Sequence, residues 1–430
     1  MTGLREMFED AAEQTPPTRM LADEVYGAGR RRWRRRRAVL AGGAAAVATS
    51  LTLVLATVLL PGGAGTPDVV ADGPTPRTTA SGEPPTSGTL PGDGIVQWVG
   101  AGDARRGYVA MSTCSPERQP CRKTVWQLVG SDDGGRNWSV RGAPVDVAGL
   151  AVLGPDALLA EVLDAATPGV PRLMTSRDGG RSWQAPQAGP EVPAAPPGHP
   201  VVCWPVPGAD PQASVAPALR PCELHALDPE ANRLSPLANR VPLVLSDLLL
   251  VRQTSGRLWA PGLDPATGRP AVAISPDAGR TWSRHVFADG PACGTGGCVA
   301  PKVTVGPGTD GYAVISTMSE QAVHRYTAVT GWQRVTAVDA LPLGDSDLGS
   351  FVTADGSHVL YQDSGRTGLG YRFWAARDGA AEYRQVELDG LPPMAGPPQR
   401  TPDGFYYARD TGTGIYGSTD GWHWYPMSGR

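Results

Sequence analysis

With 430 residues the chain has room for a large core plus appendages, and 55 Gly and 43 Pro against only 38 Lys and Arg mark it as rich in turns rather than helices. The net charge of −4 is unevenly spread: residues 1–37 hold nine Arg and six acidic side chains, residues 38–60 hold no charge, and the remainder carries 29 basic against 36 acidic side chains. That acidic remainder lacks the basic footprint of a nucleic-acid-binding surface, so no nucleic-acid partner is expected.

In chain order, residues 1–37 read as a cytoplasmic tail. Leu4, Met7, Phe8, Ala11 and Ala12 follow the spacing of a short amphipathic helix, with Glu6, Glu9, Asp10 and Glu13 mostly on the opposite face. Pro16 and Pro17 end it, and Met20, Leu21, Val25 and Tyr26 form a second apolar cluster. A helix this short cannot bury its stripe alone, so it either frays or docks on a cytoplasmic protein.

Residues 38–60 are 23 uncharged positions rich in Ala, Val and Leu, long enough at 1.5 Å per residue to cross ~30 Å of hydrocarbon. Seven Arg within residues 30–37 flank this stretch on one side. They place the N-terminus in the cytoplasm and the C-terminal part outside the cell membrane, as a single-pass protein whose partner is the lipid bilayer. A cleaved secretory signal and a twin-arginine signal at Arg36 and Arg37 are the alternatives. Both the apolar stretch and its charged lead exceed an ordinary signal, which favours an uncleaved anchor. Residues 61–93 are Pro, Gly, Thr, Ser and Ala with few acids, the composition of a disordered linker.

From residue 94 to the end one pattern recurs. Ser131, Asp133, Gly135 and Trp138 are matched by Ser176, Asp178, Gly180 and Trp183, and again by Ser275, Asp277, Gly279 and Trp282. A copy one residue shorter follows at Ser418, Asp420, Gly421 and Trp424. In a hairpin turn, Asp supplies a short acceptor for exposed backbone N–H groups, Gly tolerates positive φ, and Trp starts the outgoing strand. These residues are therefore read as structural, and none of the Asp as a catalytic acid.

The intervals between the copies are 45, 99 and 143 residues, or one, two and three units. Degenerate copies fill the gaps at Asp228, at Thr330 with Gly331 and Trp332, and at Asp378 with Tyr383. This predicts an all-β, seven-bladed β-propeller with four-stranded blades over residues 94–430, with six blades as the rival because the unit near Thr330 is poor. Strands are expected at residues 107–112, 243–245 and 404–408.

The pattern resembles the Asp-box, or BNR repeat, of sialidase-like and sortilin-like β-propellers. The acidic amphipathic helix, Arg cluster and anchor resemble the amino-terminal part of membrane proteins encoded near extracytoplasmic-function sigma factors in high-GC bacteria. The sialidase resemblance implies a glycoside hydrolase with three Arg, a Tyr–Glu pair and an Asp. The stretch holding Arg105 and Arg106 lacks the expected Arg motif, and Tyr383 and Glu382 stand at a degenerate turn. The six His are scattered, and no metalloprotease, serine-hydrolase or phosphate-loop motif occurs. Asp345 and Asp347 form at most half of a calcium loop.

The six Cys fall into local pairs, Cys114 with Cys121, Cys203 with Cys222 and Cys293 with Cys298. Outside a membrane these read as disulfides, and among the roughly fifteen connectivities that six Cys permit, short loop closure favours the nearest-neighbour pairing. The competing metal site at Cys293 and Cys298 lacks a second close Cys or His pair. No cofactor is implied. The expected function is a binding, sensing or scaffold module for a cell-envelope glycan or protein. A sialidase-like hydrolase and a sigma-factor regulator acting through the tail are the alternatives.

Overall fold

The computed structural model describes residues 87–429, apart from 93, 113–125, 143–146, 164–170, 206–221, 246–247, 254, 294–298, 309, 318–320, 344–346, 364–369, 378–381 and 411–413. The expected tail, the apolar segment 38–60 and most of the linker lie outside the described residues, as do Cys114, Cys121, Cys298 and Asp345. Among the described residues no helix is long and apolar enough to cross a membrane.

Seven sheets follow one another along the chain, each made mostly of antiparallel hairpin neighbours. A two-residue strand, β1 (Gly88–Thr89), comes first. Blade 1 is β2 (Ile95–Ala101), β3 (Gly107–Ser112), β4 (Trp126–Ser131) and β5 (Ser139–Arg141). Blade 2 is β6 (Val147–Val152), β7 (Leu158–Leu163) and β8 (Pro171–Ser176). The chain then gives β9 (Gln187–Ala188) to the outer edge of blade 3, whose other strands are β10 (Val201–Pro205), β11 (Cys222–Asp228) and β12 (Arg233–Pro236). Blade 4 pairs β13 (Val244–Leu245) and β14 (Val251–Arg252) with β15 (Leu258–Leu263), and continues with β16 (Pro270–Ser275) and β17 (Ser283–Val286).

Blade 5 is β18 (Lys302–Val305), β19 (Gly311–Ser316), β20 (Gln321–Thr327) and β21 (Gly331–Arg334). Blade 6 is β22 (Leu348–Val352), β23 (His358–Asp363), β24 (Tyr371–Ala376) and β25 (Arg384–Val386). Blade 7 is β26 (Gln399–Arg400), β27 (Tyr406–Arg409), β28 (Ile415–Ser418) and β29 (Tyr425–Gly429), with β1 added parallel to β29. Seven blades, not six, make the ring. The Thr330 unit is a complete blade despite its poor motif, because its four strands pair without a break.

The core lies between blades rather than within them. Each of the seven seams has its own apolar cluster, such as Trp259, Ile274, Phe287 and Ile315 between blades 4 and 5, or Val99, Met111, Phe405 and Met427 between blades 7 and 1. A middle strand is therefore covered on both faces. β3, β15, β16 and β19 are buried at every position and read as near-continuous apolar runs, whereas the outer β5 is mostly exposed and β17 is exposed or half-buried throughout. First strands of neighbouring blades touch, β2 with β6, β14 with β18 and β18 with β22, and so line the axis.

The ring departs from regularity in three places. β1 lies inside the stretch 61–93 assigned to the linker, so ordered structure starts earlier than the repeat pattern indicates. The outer strand of blade 2 is reduced to a single bridge, Thr175 to Gln184. Blade 3 has no inner strand of its own; Leu249 of the blade 4 segment bridges to Val202, and Cys203 N–H donates to Leu248 O at 2.7 Å. Cys203 and Cys222 form the expected disulfide, with Cα atoms 5.3 Å apart. Cys293 is also disulfide-bonded, through a partner outside the described residues.

Candidate functional site

The four Ser–Asp–Gly–Trp turns share one hydrogen-bond scheme. Ser131 Oγ donates to Asp133 Oδ1 at 2.9 Å and accepts the Gly135 N–H at 2.9 Å, while the same Oδ1 accepts the Asn137 N–H at 2.9 Å. Asp178 repeats this with Ser176, Gly180 and Ser182, and Asp277 with Ser275, Gly279 and Thr281. In the shortened copy Ser418 and Gly421 keep their bond, and Asp420 accepts the N–H groups of Trp422 and His423 at 2.7 and 2.8 Å. Gly135, Gly180, Gly279 and Gly421 all have φ between 84° and 100°, where an L side chain is strained. Burial opposes ionisation of Asp133, Asp178 and Asp277, but the converging donors outweigh it and lower all three carboxyl pKa values.

Each turn leans on the blade before it. A Cβ on Gly135 would sit 1.9 Å from Met427 O of blade 7, and one on Gly180 would sit 2.1 Å from Leu128 of blade 1. A Cβ on Gly279 would meet Leu237, just past β12, at 2.9 Å, and one on Gly421 would meet Thr353, just past β22, at 3.1 Å. Trp138, immediately before β5, donates from Nε1 to Gly135 O at 3.0 Å and to Met427 O at 3.2 Å. Trp424 donates to Gly421 O at 3.2 Å. Trp183 packs with Tyr108 and Leu128 of blade 1, and Trp282 against the seam of blades 3 and 4.

The degenerate copies also occupy turns. Asp228 Oδ1 accepts the N–H groups of Glu230 and Ala231 at 3.0 and 2.8 Å, and Asn232 supplies the positive φ. Thr327 Oγ1 accepts the Thr330 N–H at 3.0 Å. Asp378 lies outside the described residues.

Tyr383 and Glu382 do not form a reactive pair. Glu382 is exposed and bonds Arg384 at 3.2 Å, whereas Tyr383 is buried between blades 5 and 6, its hydroxyl 2.6 Å from His358 Nδ1. His358 is fully buried and stacks on Tyr312 with ring centroids 3.7 Å apart. Burial, with a smaller contribution from the Arg325 charge, pushes its imidazole down to about 3. The unfolded chain takes up a proton at about 6.5 and the folded chain does not, so this stability is complete above that pH and is lost as pH falls towards 3. The slope approaches about 1.4 kcal/mol per pH unit below pH 6.5, so moving from pH 6.5 to 4.5 costs about 2 kcal/mol. Urea unfolding of the wild type and His358→Phe at the two pH values should show a shallower pH slope in the variant. Equal slopes would assign the pH dependence to other groups.

At the axis on the turn side lies a depression of about 730 Å³. Ala194, Pro196, Pro200, Leu249, Ala278 and Pro402 supply apolar wall, so it opens where blade 3 lacks an inner strand. Three of its polar side chains hold loops in place. Arg252 donates to the carbonyls of His199 and Ala195, Gln253 Nε2 donates to Gly308 O at 3.0 Å, and Asp277 is committed to its turn. Burial lowers the Arg252 pKa. Asp403 stands exposed at the rim. Arg106, which the sequence offers near the missing Arg motif, is tied to Asp103 and Asp156 at 3.1 and 2.8 Å. Asp347 is paired with Lys302, and among the described residues no three His, Cys, Asp or Glu groups come together as metal ligands.

No protein-family model and no curated protein matches this sequence. Its fold is similar to that of solved β-propellers. A family 74 glycoside hydrolase, a xyloglucanase from Xanthomonas campestris, is 16% identical over 76% of this chain and 46% of its own, with a TM-score of 0.36. An ancestral enzyme of the same family is 14% identical over 81% and 48%, with a TM-score of 0.48. The β-propeller domain of the Trilobed protease from Pyrococcus furiosus, described as having an open velcro topology, is 8% identical over 78% and 96%, with a TM-score of 0.46. The chain thus spans about half the length of the two glycoside hydrolases. At these identities only the architecture is shared.

Sequence reasoning missed the axial depression. Its signal was the interval of 99 residues between the second and third turns, within which Pro196, Pro197 and Pro200 replace the apolar alternation of an inner strand.

Proposed function

We propose that this chain is a membrane-anchored, extracytoplasmic propeller of the Asp-box kind that binds a cell-envelope glycan or protein without transforming it. The observation that carries the reading is the state of the carboxylates on the turn face. Asp133, Asp178, Asp277 and Asp420 each accept several hydrogen bonds inside their own turn, which fits a scaffold and leaves them poorly placed as proton donors. The axial depression has apolar walls and loop-holding polar groups, an arrangement suited to recognition. Residues 1–60 supply the anchor in this reading, with seven Arg before an uncharged stretch of 23.

The test is a combined binding and turnover screen on the full-length chain in detergent, with glycan arrays beside fluorogenic glycosides that include sialosides. Binding without turnover is the expected result. Turnover abolished by changing Asp403 or Arg252 would replace this reading with a hydrolase.

A further inference from the structure

We infer that a cleft on the side wall of the propeller, between blades 2 and 3, is a carbohydrate-binding site in which a sugar ring stacks on Trp204. The inference rests on the binding-module reading and names its ligand class and location.

The cleft exists because blade 2 lacks an outer strand. After the Thr175 to Gln184 bridge the chain leaves blade 2, and Gln187 and Gly189 donate their N–H groups to Asn232 O and Leu234 O of blade 3 at 2.9 and 2.7 Å. β9 therefore extends blade 3 instead of covering the gap. What remains open is a hollow of about 320 Å³ with Leu173, Leu234 and Pro236 among its walls.

Trp204 and His225 lie on one face of blade 3, because Val202 pairs with His225 and side chains alternate along β10. On that face Val202 and Leu227 are fully buried in the seam with Leu159 and Leu173, while Trp204 stays only partly buried at the open end. The Cys203–Cys222 disulfide clamps β10 to β11 immediately beside it, so the platform is rigid before any ligand arrives.

The chemistry of the lining selects a sugar. An indole face carries negative charge density that attracts the polarised C–H bonds on one side of a pyranose. Around it stand groups able to meet equatorial hydroxyls in either sense. The Trp204 N–H and the Gln187 amide have no hydrogen-bond partner among the described residues, and His225 uses only Nδ1, 3.2 Å from Glu223 O. Arg172 adds a cation at the edge. Among the described residues no Asp or Glu lines the cleft, so these residues do not supply the carboxylate pair that glycoside hydrolysis uses. A bound sugar would be held and not cut.

The experiment titrates the full-length chain in detergent with cellotetraose, mannotriose and chitotriose, followed by tryptophan fluorescence and by saturation-transfer NMR. At least one sugar should bind saturably, with Trp204→Ala weakening it about 10-fold or more and Trp204→Phe falling between. Trp204 also packs on the seam, so Gln187→Ala, at an exposed position, serves as a second variant and should weaken binding several-fold. Circular dichroism identifies any variant that fails to fold. Sugar binding indifferent to both variants would overturn this site while leaving the binding-module reading intact. Failure of all three sugars would overturn the inference, and hydrolysis of any of them would overturn the wider reading as well.

Discussion

Trp259→Ala should destabilise the propeller by about 3–5 kcal/mol, read as a fall in the urea midpoint at unchanged slope. Trp259 is fully buried on β15, with the rings of Tyr326 and Trp332 edge-on to it at 5.2 and 5.8 Å. It is the largest fully buried side chain of the seam between blades 4 and 5, and Gly311 on β19 makes room for it. A Cβ at Gly311 would lie 2.6 Å from the indole ring. Truncation removes both transfer energy and two aromatic contacts, and the flanking sheets cannot collapse into the space without shifting whole blades. Trp259→Phe is the informative contrast. The Trp259 N–H is buried without a partner, so phenylalanine loses volume but also removes an unsatisfied donor. It should cost markedly less than alanine, and an equal loss would mean that ring size, not burial, governs the seam.

That seam shows what was legible in the sequence and what was not. Ser, Asp, Gly and Trp at fixed offsets could be read because a local turn demands each of them for a separate reason, and the turns at Asp228 and Thr330 survive on the same chemistry with different residues. Spacing and the degenerate copies together point to seven blades with six as the rival, and the complete pairing of the Thr330 unit removes that rival. Pairings between distant segments were not legible. Gln187 and Ala188 have little β-propensity and become β9 only because Asn232 and Leu234 offer carbonyls beside them. Leu249 enters blade 3 because the space next to Val202 is empty, a fact set by the path of residues 187–200 over the turn face. The axial depression and the side cleft both sit at these exchanges, so neither had a motif to announce it. Tyr383 beside Glu382 reads as part of a degenerate turn and not as a reactive pair. Tyr beside Glu carries chemical meaning only when both are accessible, and here His358 and Tyr312 hold the tyrosine in the core.

Gly135→Ala should cost about 3 kcal/mol or more and act specifically on ring closure. All four antiparallel strands of blade 7 come from residues 399–429 and all four of blade 1 from residues 95–141, so no hairpin is shared across this seam. Closure relies on side-chain packing, on the two-residue pairing of β1 with β29, on hydrogen bonds from Trp138 Nε1 to Met427 O and from Arg409 to Val96 O, and on Gly135. Its carbonyl accepts the Gly88 N–H at 2.7 Å and the Trp138 Nε1–H at 3.0 Å, while its Cα presses on the backbone of Met427 in β29. Alanine there adds strain at φ 89° and a Cβ 1.9 Å from a carbonyl oxygen that only a backbone shift can relieve. Gly134→Ala separates the two effects, because φ is 77° but the nearest atom, Ala104 O, lies 3.4 Å away. That control should lose about 1–2 kcal/mol from the left-handed backbone alone. Hydrogen exchange should accelerate in β1 and β29 for Gly135→Ala and stay near wild type there for Gly134→Ala. If both variants lose the same stability and exchange alike, the backbone at Met427 yields freely. The ring is then held shut by the packing of Val99, Met111, Phe405 and Met427 rather than by the turn.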